Sequence, residues 1–440
     1  NQILQNIYDM TAFSAIAENP GFIVMYLLAF VLLYCGIKKG YEPLLLVPIA
    51  FGVLIANFPG GGMGVNAVDG DGIVTLTVAA KDLGNYHIGH CGVVDAALSA
   101  VDSSKAIIKF DIWNMTLPAI AHELGLMNFI YYMLIKTGFI PPIIFMGVGA
   151  LTDFGPMLRN LKLAIFGAGA QFGIFAVLLI AAASGKFTMQ EAASLSIIGG
   201  ADGPTAIFTT IKLAPHMLGP IAIAAYSYMA LVPVIIPLVV NLLCSEKELK
   251  INMKEQDKLY PSSTEFKNMR VLKILFPIVV TCIVAILVPS AVSLVGMLMF
   301  GNLIKEIGTS TSRIFDAASN SIMNAATIFL GLSVGATMTV DAFLNLQTIG
   351  IVVGGFFAFG LSIAGGICLV KLFNLFSKKK INPLVGATGL SAVPMASRVA
   401  NEIALKYDSR NHVLNYCMSS NVSGVIGSAV AAGILISFLG

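Results

Sequence analysis

Residues 197–208 read Ile-Ile-Gly-Gly-Ala-Asp-Gly-Pro-Thr-Ala-Ile-Phe and place one acidic side chain inside an otherwise apolar run. Paired glycines interrupt a helix, Asp202 is a favourable N-cap residue, and Pro204 suits the first turn of a new helix. No other charged residue lies between Glu191 and Lys212. The stretch therefore predicts a helix that stops, turns and restarts with a carboxylate at the restart.

The composition indicates that this interrupted helix lies in a membrane. Of the 440 residues, 57% are hydrophobic and 11% are charged, whereas soluble domains are about one quarter charged. A soluble chain of this length would need many more charged residues on its surface. We therefore expect lipid to surround most of this chain. The net charge of +3 argues against nucleic acid as a partner, which requires a dense basic face.

An isolated carboxylate at membrane depth costs several kcal/mol unless a cation or a proton neutralises it. We therefore expect a cation or proton site at Asp202. The alternative is a carboxylate that only caps the new helix. Asp153, in Thr-Asp-Phe-Gly-Pro, shows the same cap-and-proline pattern, but Arg159 lies nearby and favours an ordinary capped helix start there.

The apolar runs predict an all-α polytopic membrane protein with about 9–11 membrane segments, since about 20 apolar residues span the hydrocarbon core. Runs long enough to cross the membrane lie at 20–37, 42–57, 116–138, 161–184, 218–243, 271–300, 325–340, 344–376 and 411–439. Residues 139–158, 188–212 and 382–400 are apolar but short or rich in glycine and proline. We expect 188–212 and 382–400 to be broken or re-entrant helices, whose irregular backbone survives only where protein or a water-filled cavity satisfies it.

Two polar segments divide the chain into domains. We predict N-terminal membrane helices at 1–57, a polar extramembrane insertion at 58–115, a first transport half at 116–243, a linker at 244–270 and a second transport half at 271–440. The insertion contains the β-like run Gly-Ile-Val-Thr-Leu-Thr-Val-Ala-Ala.

Seven basic residues between Lys247 and Lys273 form the densest Lys/Arg concentration of the chain. The positive-inside rule therefore places the linker in the cytoplasm. Each transport half contains one broken helix, a pattern that points to a transporter-like site near the bilayer midplane. An inverted repeat is the corresponding hypothesis.

The second broken segment carries oxygen ligands without charge. Asn382-Pro383 suits a helix start, and Gly386, Gly389 and Ser391 interrupt the helix again before Pro394. Main-chain carbonyls freed by such breaks, together with Asn and Ser oxygens, suit a hard cation such as Na⁺. Asn421, in the last apolar segment, either completes an ion site or bonds across helices.

Two further side chains suit anion and proton chemistry. Arg398 could hold a carboxylate by two parallel hydrogen bonds, or its guanidinium could extend to the membrane interface. Tyr228 could donate a proton or a hydrogen bond, or it could serve as an interfacial anchor or core residue.

Other motifs are unconvincing. His87, His90 and Cys91 lack a fourth metal ligand at suitable spacing. No Walker-type loop occurs, which argues against ATP as the energy source.

Five long motifs resemble the β subunit of the sodium-pumping biotin-dependent decarboxylases, which act on oxaloacetate, methylmalonyl-CoA, glutaconyl-CoA or malonate. The resemblance covers about residues 140–440, and residues 58–115 match it poorly. The motifs are GVGALTDFGP (147–156), AQFGIF (170–175), IIGGADGPTAIF (197–208), AYSYMALVP (225–233) and NPLVGATGLSAVPMASRV (382–399).

The resemblance implies a multi-pass protein of the bacterial inner membrane that decarboxylates carboxybiotin and exports Na⁺ with consumption of a proton. It implies a carboxyltransferase (α) subunit, a biotin carrier that presents carboxybiotin, a small γ or δ membrane subunit and a homotrimeric β core. It assigns function to Asp202, Tyr228, Asn382, Gly386, Ser391, Arg398 and Asn421.

From these assignments we form one mechanistic hypothesis. Asp202, Tyr228 and Arg398 are the catalytic group, and Arg398, Tyr228 and Ser391 contact the carboxybiotin. The Na⁺ ligands are Asp202, Asn382, Gly386, Ser391 and Asn421. Access would alternate by an elevator-like movement of one bundle against a scaffold. The alternative is a Na⁺-coupled secondary transporter of an organic anion that uses the same broken helices without decarboxylation. A structural membrane anchor would leave the buried Asp202 unexplained.

Overall fold

The computed structural model of this chain describes residues 11–40, 43–66, 73–89, 91–99, 105–260, 268–344 and 346–440. Most of these residues are helical, which confirms the predicted all-α class. The α-helices are α1 Phe13–Glu18, α2 Gly21–Ile37, α3 Pro43–Ala56, α4 Leu117–Ala119, α5 Leu126–Ile130, α6 Ile140–Leu151, α7 Gly155–Arg159, α8 Leu161–Ala183, α9 Met189–Ser196, α10 Gly203–Leu213, α11 Leu218–Ala230, α12 Val232–Leu243, α13 Glu246–Leu249, α14 Met253–Leu259, α15 Met269–Leu287, α16 Val292–Ile307, α17 Ser312–Asp316, α18 Met323–Ala336, α19 Val340–Phe343, α20 Leu346–Phe376, α21 Leu384–Ala387, α22 Met395–Tyr407 and α23 Leu414–Leu439.

Six helical segments in the described part of the chain are long and apolar enough to cross a membrane. They are Leu161–Ala183, Met269–Leu287, Pro289–Ile307, Thr309–Ala336, Thr348–Phe376 and Leu414–Leu439. Two bent pairs, Leu126–Ile135 with Ile140–Leu151 and Pro215–Met229 with Val232–Leu243, raise the number to 8 if each pair is one span. Two shorter apolar helices, α2 and α3, add to these. The chain is thus a multi-pass membrane protein.

One predicted span is divided in two. The run 271–300 was expected to cross once, but it contains the end of α15, a 3₁₀ turn at Pro289–Ala291 and the beginning of α16. Proline disfavours a helical conformation of the residue before it, and Val288 leaves the helix with φ −140° and ψ 74°. At position 289 it ends α15 and begins the next helical segment.

The insertion contains a small antiparallel sheet. Strands β1 Ile73–Ala79, β2 Val93–Leu98 and β3 Lys105–Asp111 lie in the order β1-β3-β2. The β-like run recognised in the sequence supplies β1. On β3, Ala106, Ile108 and Phe110 are buried while alternate residues are more exposed, which is the pattern of a sheet with one covered face.

The described residues form two compact units. One contains the chain up to Phe139 together with Leu218–Pro220 and Thr327–Thr348, and the other contains Ile140–Met217, Ile221–Ala326 and Ile349–Gly440. The second unit, called here the site unit, holds all seven predicted site residues. Both predicted halves contribute chain to it.

The described part of the linker, residues 244–260 and 268–270, folds as part of the site unit. Helices α13 and α14 bury Leu249 and Met253, each 1% exposed. Asp257 on α14 pairs with Lys379 and accepts a hydrogen bond from Tyr416. The basic linker therefore lies against the chain on both sides of the second broken helix.

Helices α6 and α16 of the site unit cross at backbone contact distance. A Cβ on Gly149 would lie 1.9 Å from the carbonyl oxygen of Leu298, and a Cβ on Gly301 would lie 1.9 Å from that of Met146. Membrane helices gain stability from such close packing through small residues. Asn302 fixes the crossing by donating to the Gly149 and Thr152 carbonyls.

We expect Gly301→Ala to lower the thermal unfolding temperature of the purified protein, because the added methyl group forces the helices apart and overpacking costs about 1–3 kcal/mol. Gly296→Ala is the matched control on the same helix, since its Cβ would meet no atom closer than 3.6 Å. Its unfolding temperature should stay the same or rise. Equal destabilisation by both substitutions would contradict the packing argument.

Candidate functional site

The first broken helix is formed as the sequence predicts. Helix α9 begins with a capping box between Thr188 and Glu191, and the chain tightens into a 3₁₀ turn at Ile197–Gly200. Ala201 then adopts a left-handed conformation with φ 54°, which is strained for a residue with a side chain. Asp202 is extended and caps the restarting helix α10.

The Asp202 carboxylate accepts hydrogen bonds from three separate parts of the chain. Its Oδ1 accepts from the Thr205 amide at 3.3 Å, and its Oδ2 accepts from the hydroxyls of Ser391 at 2.9 Å and Ser428 at 3.1 Å. Asp202 is 7% exposed. Within the described ranges no basic side chain forms an ion pair with it.

Asp202 accepts more hydrogen bonds than a helix cap requires. The residue does cap α10, but a cap requires only the bond to Thr205. The two serine hydroxyls come from other elements and converge on the same oxygen. The carboxylate is therefore the centre of a small oxygen cluster inside the site unit.

The second broken helix meets the first directly. Helix α21 ends at Ala387, irregular chain follows through a cis Val393–Pro394 bond, and α22 begins at Met395. The Ser391 amide donates to the Gly200 carbonyl at 2.9 Å. One residue, Ser391, therefore joins the two breaks through both its main chain and its side chain.

Glycines pack the second break closely against helices α20 and α23. A Cβ on Gly386 would lie 2.1 Å from the Gly366 carbonyl oxygen on α20, and a Cβ on Gly424 of α23 would lie 2.3 Å from that of Gly389. The Gly386 carbonyl accepts from the Gly389 amide at 3.1 Å. Only residues without a side chain allow this approach.

Asn421 bonds across helices. Its amide nitrogen donates to the Leu390 carbonyl and its Oδ1 accepts from the Ser397 hydroxyl at 3.1 Å. It thus joins the two ends of the second break, which is one of the two roles that the sequence left open. Its role as a direct Na⁺ ligand stays a prediction.

Asn382 is also fully buried, and its contacts lie away from the Asp202 carboxylate. Its amide nitrogen donates to the carbonyls of Leu249 and Ile251, at 2.9 and 3.0 Å. Its Oδ1 accepts from the Leu384 amide at 3.0 Å. These bonds tie the linker to the start of the second break.

Tyr228 and Arg398 lie in different environments. The Tyr228 hydroxyl is directed at the Val352 carbonyl on α20, and its ring packs edge-on against Phe356. Arg398, on α22, is exposed, and its guanidinium has no hydrogen bond or ion pair to any described residue. The structure thus joins Ser391 to Asp202 by a hydrogen bond, whereas Tyr228 and Arg398 form no hydrogen bond or ion pair with Asp202 among the described contacts.

Sequence reasoning missed Ser428, a partner of Asp202. The residue lies in Gly-Ser-Ala-Val-Ala-Ala-Gly, where one hydroxyl among small residues gave little signal. Its spacing of seven from Asn421 does put both on one face of α23. That spacing could have identified it.

No group of three or more His, Cys, Asp or Glu side chains that could hold a metal ion occurs among the residues that the structure describes. His87 and Cys91 are exposed, and His90 lies outside the described residues. The oxygen donors at Asp202 are one carboxylate and hydroxyls, a set that suits a monovalent hard cation better than zinc.

A polar cavity of about 500 Å³ opens beside the linker. Arg159, Lys254 and His412 line it together with Asn401, which lies one turn after Arg398 on α22. Its two acidic lining residues are already paired, Asp153 with Lys273 and Asp257 with Lys379. The cavity can therefore receive an anion.

Comparison with known proteins supplies the family. The family described as the Na⁺-transporting oxaloacetate decarboxylase beta subunit matches residues 21–439. The methylmalonyl-CoA decarboxylase subunit beta of Propionigenium modestum is 46% identical over 441 residues, with 100% of each chain covered. The oxaloacetate decarboxylase beta chain 2 of Salmonella typhi is 44% identical with 94% of each chain covered, and the oxaloacetate decarboxylase beta chain of Klebsiella pneumoniae is likewise 44% identical with 94% covered.

The similarity extends well beyond the motifs, because it includes the insertion and the N-terminal helices as well as the two broken helices. Together with the membrane-spanning helices, it identifies a multi-pass protein of the bacterial inner membrane. The chain belongs to the family of Na⁺-transporting decarboxylase β subunits.

Proposed function

We propose that this subunit decarboxylates carboxybiotin and uses the free energy released to export Na⁺, with one proton consumed in the chemical step. The observation that carries the proposal is the buried Asp202 carboxylate, which is surrounded by hydroxyls and one amide. Such a group needs a mobile positive charge, and the family transports one that suits oxygen ligands.

Na⁺ is the cargo, and Asp202 and Ser391 are its proposed ligands. A carboxylate and hydroxyl oxygens match the preference of hard cations. Asn382, Gly386 and Asn421 remain predicted ligands, although their present hydrogen bonds support a role in shaping the second break. A proton and Na⁺ compete for the same carboxylate, so binding of one releases the other, and this competition links the two fluxes.

The chemical step breaks the bond between the ureido nitrogen and the carboxyl carbon. The electron pair stays on nitrogen, CO₂ leaves, and the nitrogen takes up one proton. Arg398 orients the carboxylate by charge-assisted hydrogen bonds. Tyr228 donates the proton and Asp202 relays its replacement, so the Tyr228 hydroxyl leaves the Val352 carbonyl during turnover.

The partners act from the side of the basic linker. A carboxyltransferase subunit and a biotin carrier deliver carboxybiotin there, and a small γ or δ subunit and two further β copies complete the complex. The cavity lined by Arg159 and Lys254 supports this direction of approach, because neither side chain forms an ion pair with a described residue and both can meet an anionic group one turn from Arg398.

We expect Asp202→Asn to abolish Na⁺ uptake by inverted, reconstituted vesicles, because the neutral amide removes the charge that binds the ion. Asp316→Asn is the matched control: Asp316 lies in the same compact unit, is exposed and accepts a hydrogen bond from Asn320. It should transport normally. Wild-type uptake by Asp202→Asn would exclude Asp202 as the ion site.

We expect Arg398→Gln to raise the KM for free carboxybiotin by about tenfold or more, since a hydrogen bond to a charged group contributes about 1.5–3 kcal/mol. CO₂ release by the purified subunit measures it, at saturating Na⁺. Arg313→Gln, at another exposed arginine of the site unit, should leave KM unchanged. An unchanged KM in Arg398→Gln would remove Arg398 from the substrate site.

The competing function, a secondary transporter without decarboxylation, makes a different prediction. The purified protein would accumulate an organic anion with Na⁺ and would release no CO₂ from carboxybiotin. Na⁺-dependent CO₂ release, and co-purification of a biotin-bearing subunit, support the decarboxylase.

A further inference from the structure

A second tyrosine of α11 lies beside the Asp202 carboxylate. The ring of Tyr226 rests on the backbone of Gly203, where an added Cβ would lie 1.9 Å from its Cε1 and 2.4 Å from its Cζ. Gly203 directly follows Asp202, and the phenol is within electrostatic reach of that carboxylate. Tyr226 is 3% exposed.

The Tyr226 hydroxyl has no hydrogen-bond partner among the described residues. This distinguishes it from the hydroxyl of Tyr228, two residues later, which is directed at a carbonyl. A buried hydroxyl is costly to leave unpaired, and lipid offers no substitute for water. A buried, unpaired hydroxyl next to a carboxylate indicates a ligand site.

Thr205 shows the same feature. Its side chain is fully buried, and its Oγ1 lies against the Asp202 carboxylate but forms no well-oriented hydrogen bond with any described group. Thr209 and Thr210 on the same helix instead donate to carbonyls four residues earlier, at 2.9 and 2.7 Å. For Thr205 the corresponding carbonyl belongs to Ala201, which lies before α10 begins.

We propose that the Tyr226 phenol oxygen and the Thr205 hydroxyl oxygen complete the coordination of the Na⁺ that Asp202 and Ser391 hold. The inference rests on the proposed function, because it assumes that the ion binds at Asp202. Both hydroxyls have free lone pairs, and both lie against the residue that supplies the charge. Hydroxyl oxygens are suitable ligands for a hard cation.

The ligand set has one negative charge. Every other oxygen in it, whether of a hydroxyl, an amide or a main-chain carbonyl, is neutral, so a monovalent cation leaves the buried site uncharged, whereas a divalent cation leaves a net charge that burial penalises. The contact between the Tyr226 ring and Gly203 also fixes the position of the phenol oxygen. The site therefore discriminates by charge through its composition and by ion size through this rigid contact.

The test measures the thermal unfolding temperature of the purified full-length subunit against Na⁺ concentration, with choline chloride maintaining the ionic strength. A bound ion stabilises the folded protein by RT ln(1 + c/Kd), where c is the Na⁺ concentration, so the concentration dependence of the unfolding temperature yields the Kd for Na⁺. In Tyr226→Phe and in Thr205→Val we expect this Kd to rise about tenfold, the effect of losing one contact to a charge. The same series with Li⁺ should show a smaller rise for Tyr226→Phe, since a smaller ion makes poorer contact with a fixed oxygen.

Two controls match the substitutions. Thr209→Val removes a buried hydroxyl of the same helix that is bonded to the main chain, and Tyr131→Phe removes the hydroxyl of a buried tyrosine in the other compact unit. Neither should change the response to Na⁺.

An unchanged Na⁺ response in both variants would overturn the inference. If the unfolding temperature without Na⁺ falls at the same time, water satisfies these hydroxyls. Asp202→Asn separates the two proposals: it should eliminate the Na⁺ response, and a retained response would instead overturn the ion site itself.

Discussion

A buried carboxylate that no basic side chain of the described residues neutralises is the constraint on which the site unit depends. Asp202 has three hydrogen-bond donors and no ion pair within the described chain. Hydrogen bonds lower the cost of burying the charge, but they do not remove it. The carboxylate therefore favours whichever cation reaches it, and a protein that alternates between two cations can exchange one for the other.

The hydrogen bond from the Ser391 amide to the Gly200 carbonyl makes the two breaks one structural element. Each break alone would expose unpaired backbone groups inside the membrane. Together the two breaks satisfy part of each other's backbone hydrogen bonding. The Asn421 amide nitrogen satisfies a further group, the Leu390 carbonyl. A change at the carboxylate therefore acts on both broken helices, because Ser391 contacts the first break through its backbone and its side chain.

The sequence predicted what local rules govern and missed what depends on distant contacts. The helix restart at Asp202 follows from the cap, the paired glycines and Pro204, all within a few residues, and the structure contains it. The partners of Asn382 could not be foreseen, because Leu249 and Ile251 lie more than 130 positions away in a segment that appeared to be a simple linker. Ser428 escaped notice because a serine in an apolar helix often bonds only to its own backbone. The split of 271–300 at Pro289 followed a local rule, but length alone favoured one span.

The hydrogen bonds between the linker and Asn382 couple a surface segment of the protein to the buried second break. The Asn382 amide nitrogen donates to two carbonyls of the linker, and its Oδ1 accepts from the Leu384 amide at the start of the second break. Asn411 binds the same Ile251 carbonyl, and Asn252 reaches Asp408. The linker is therefore coupled to the second break. A partner protein that displaces the linker must break the hydrogen bonds of the Asn382 amide, which sets where the broken helix begins.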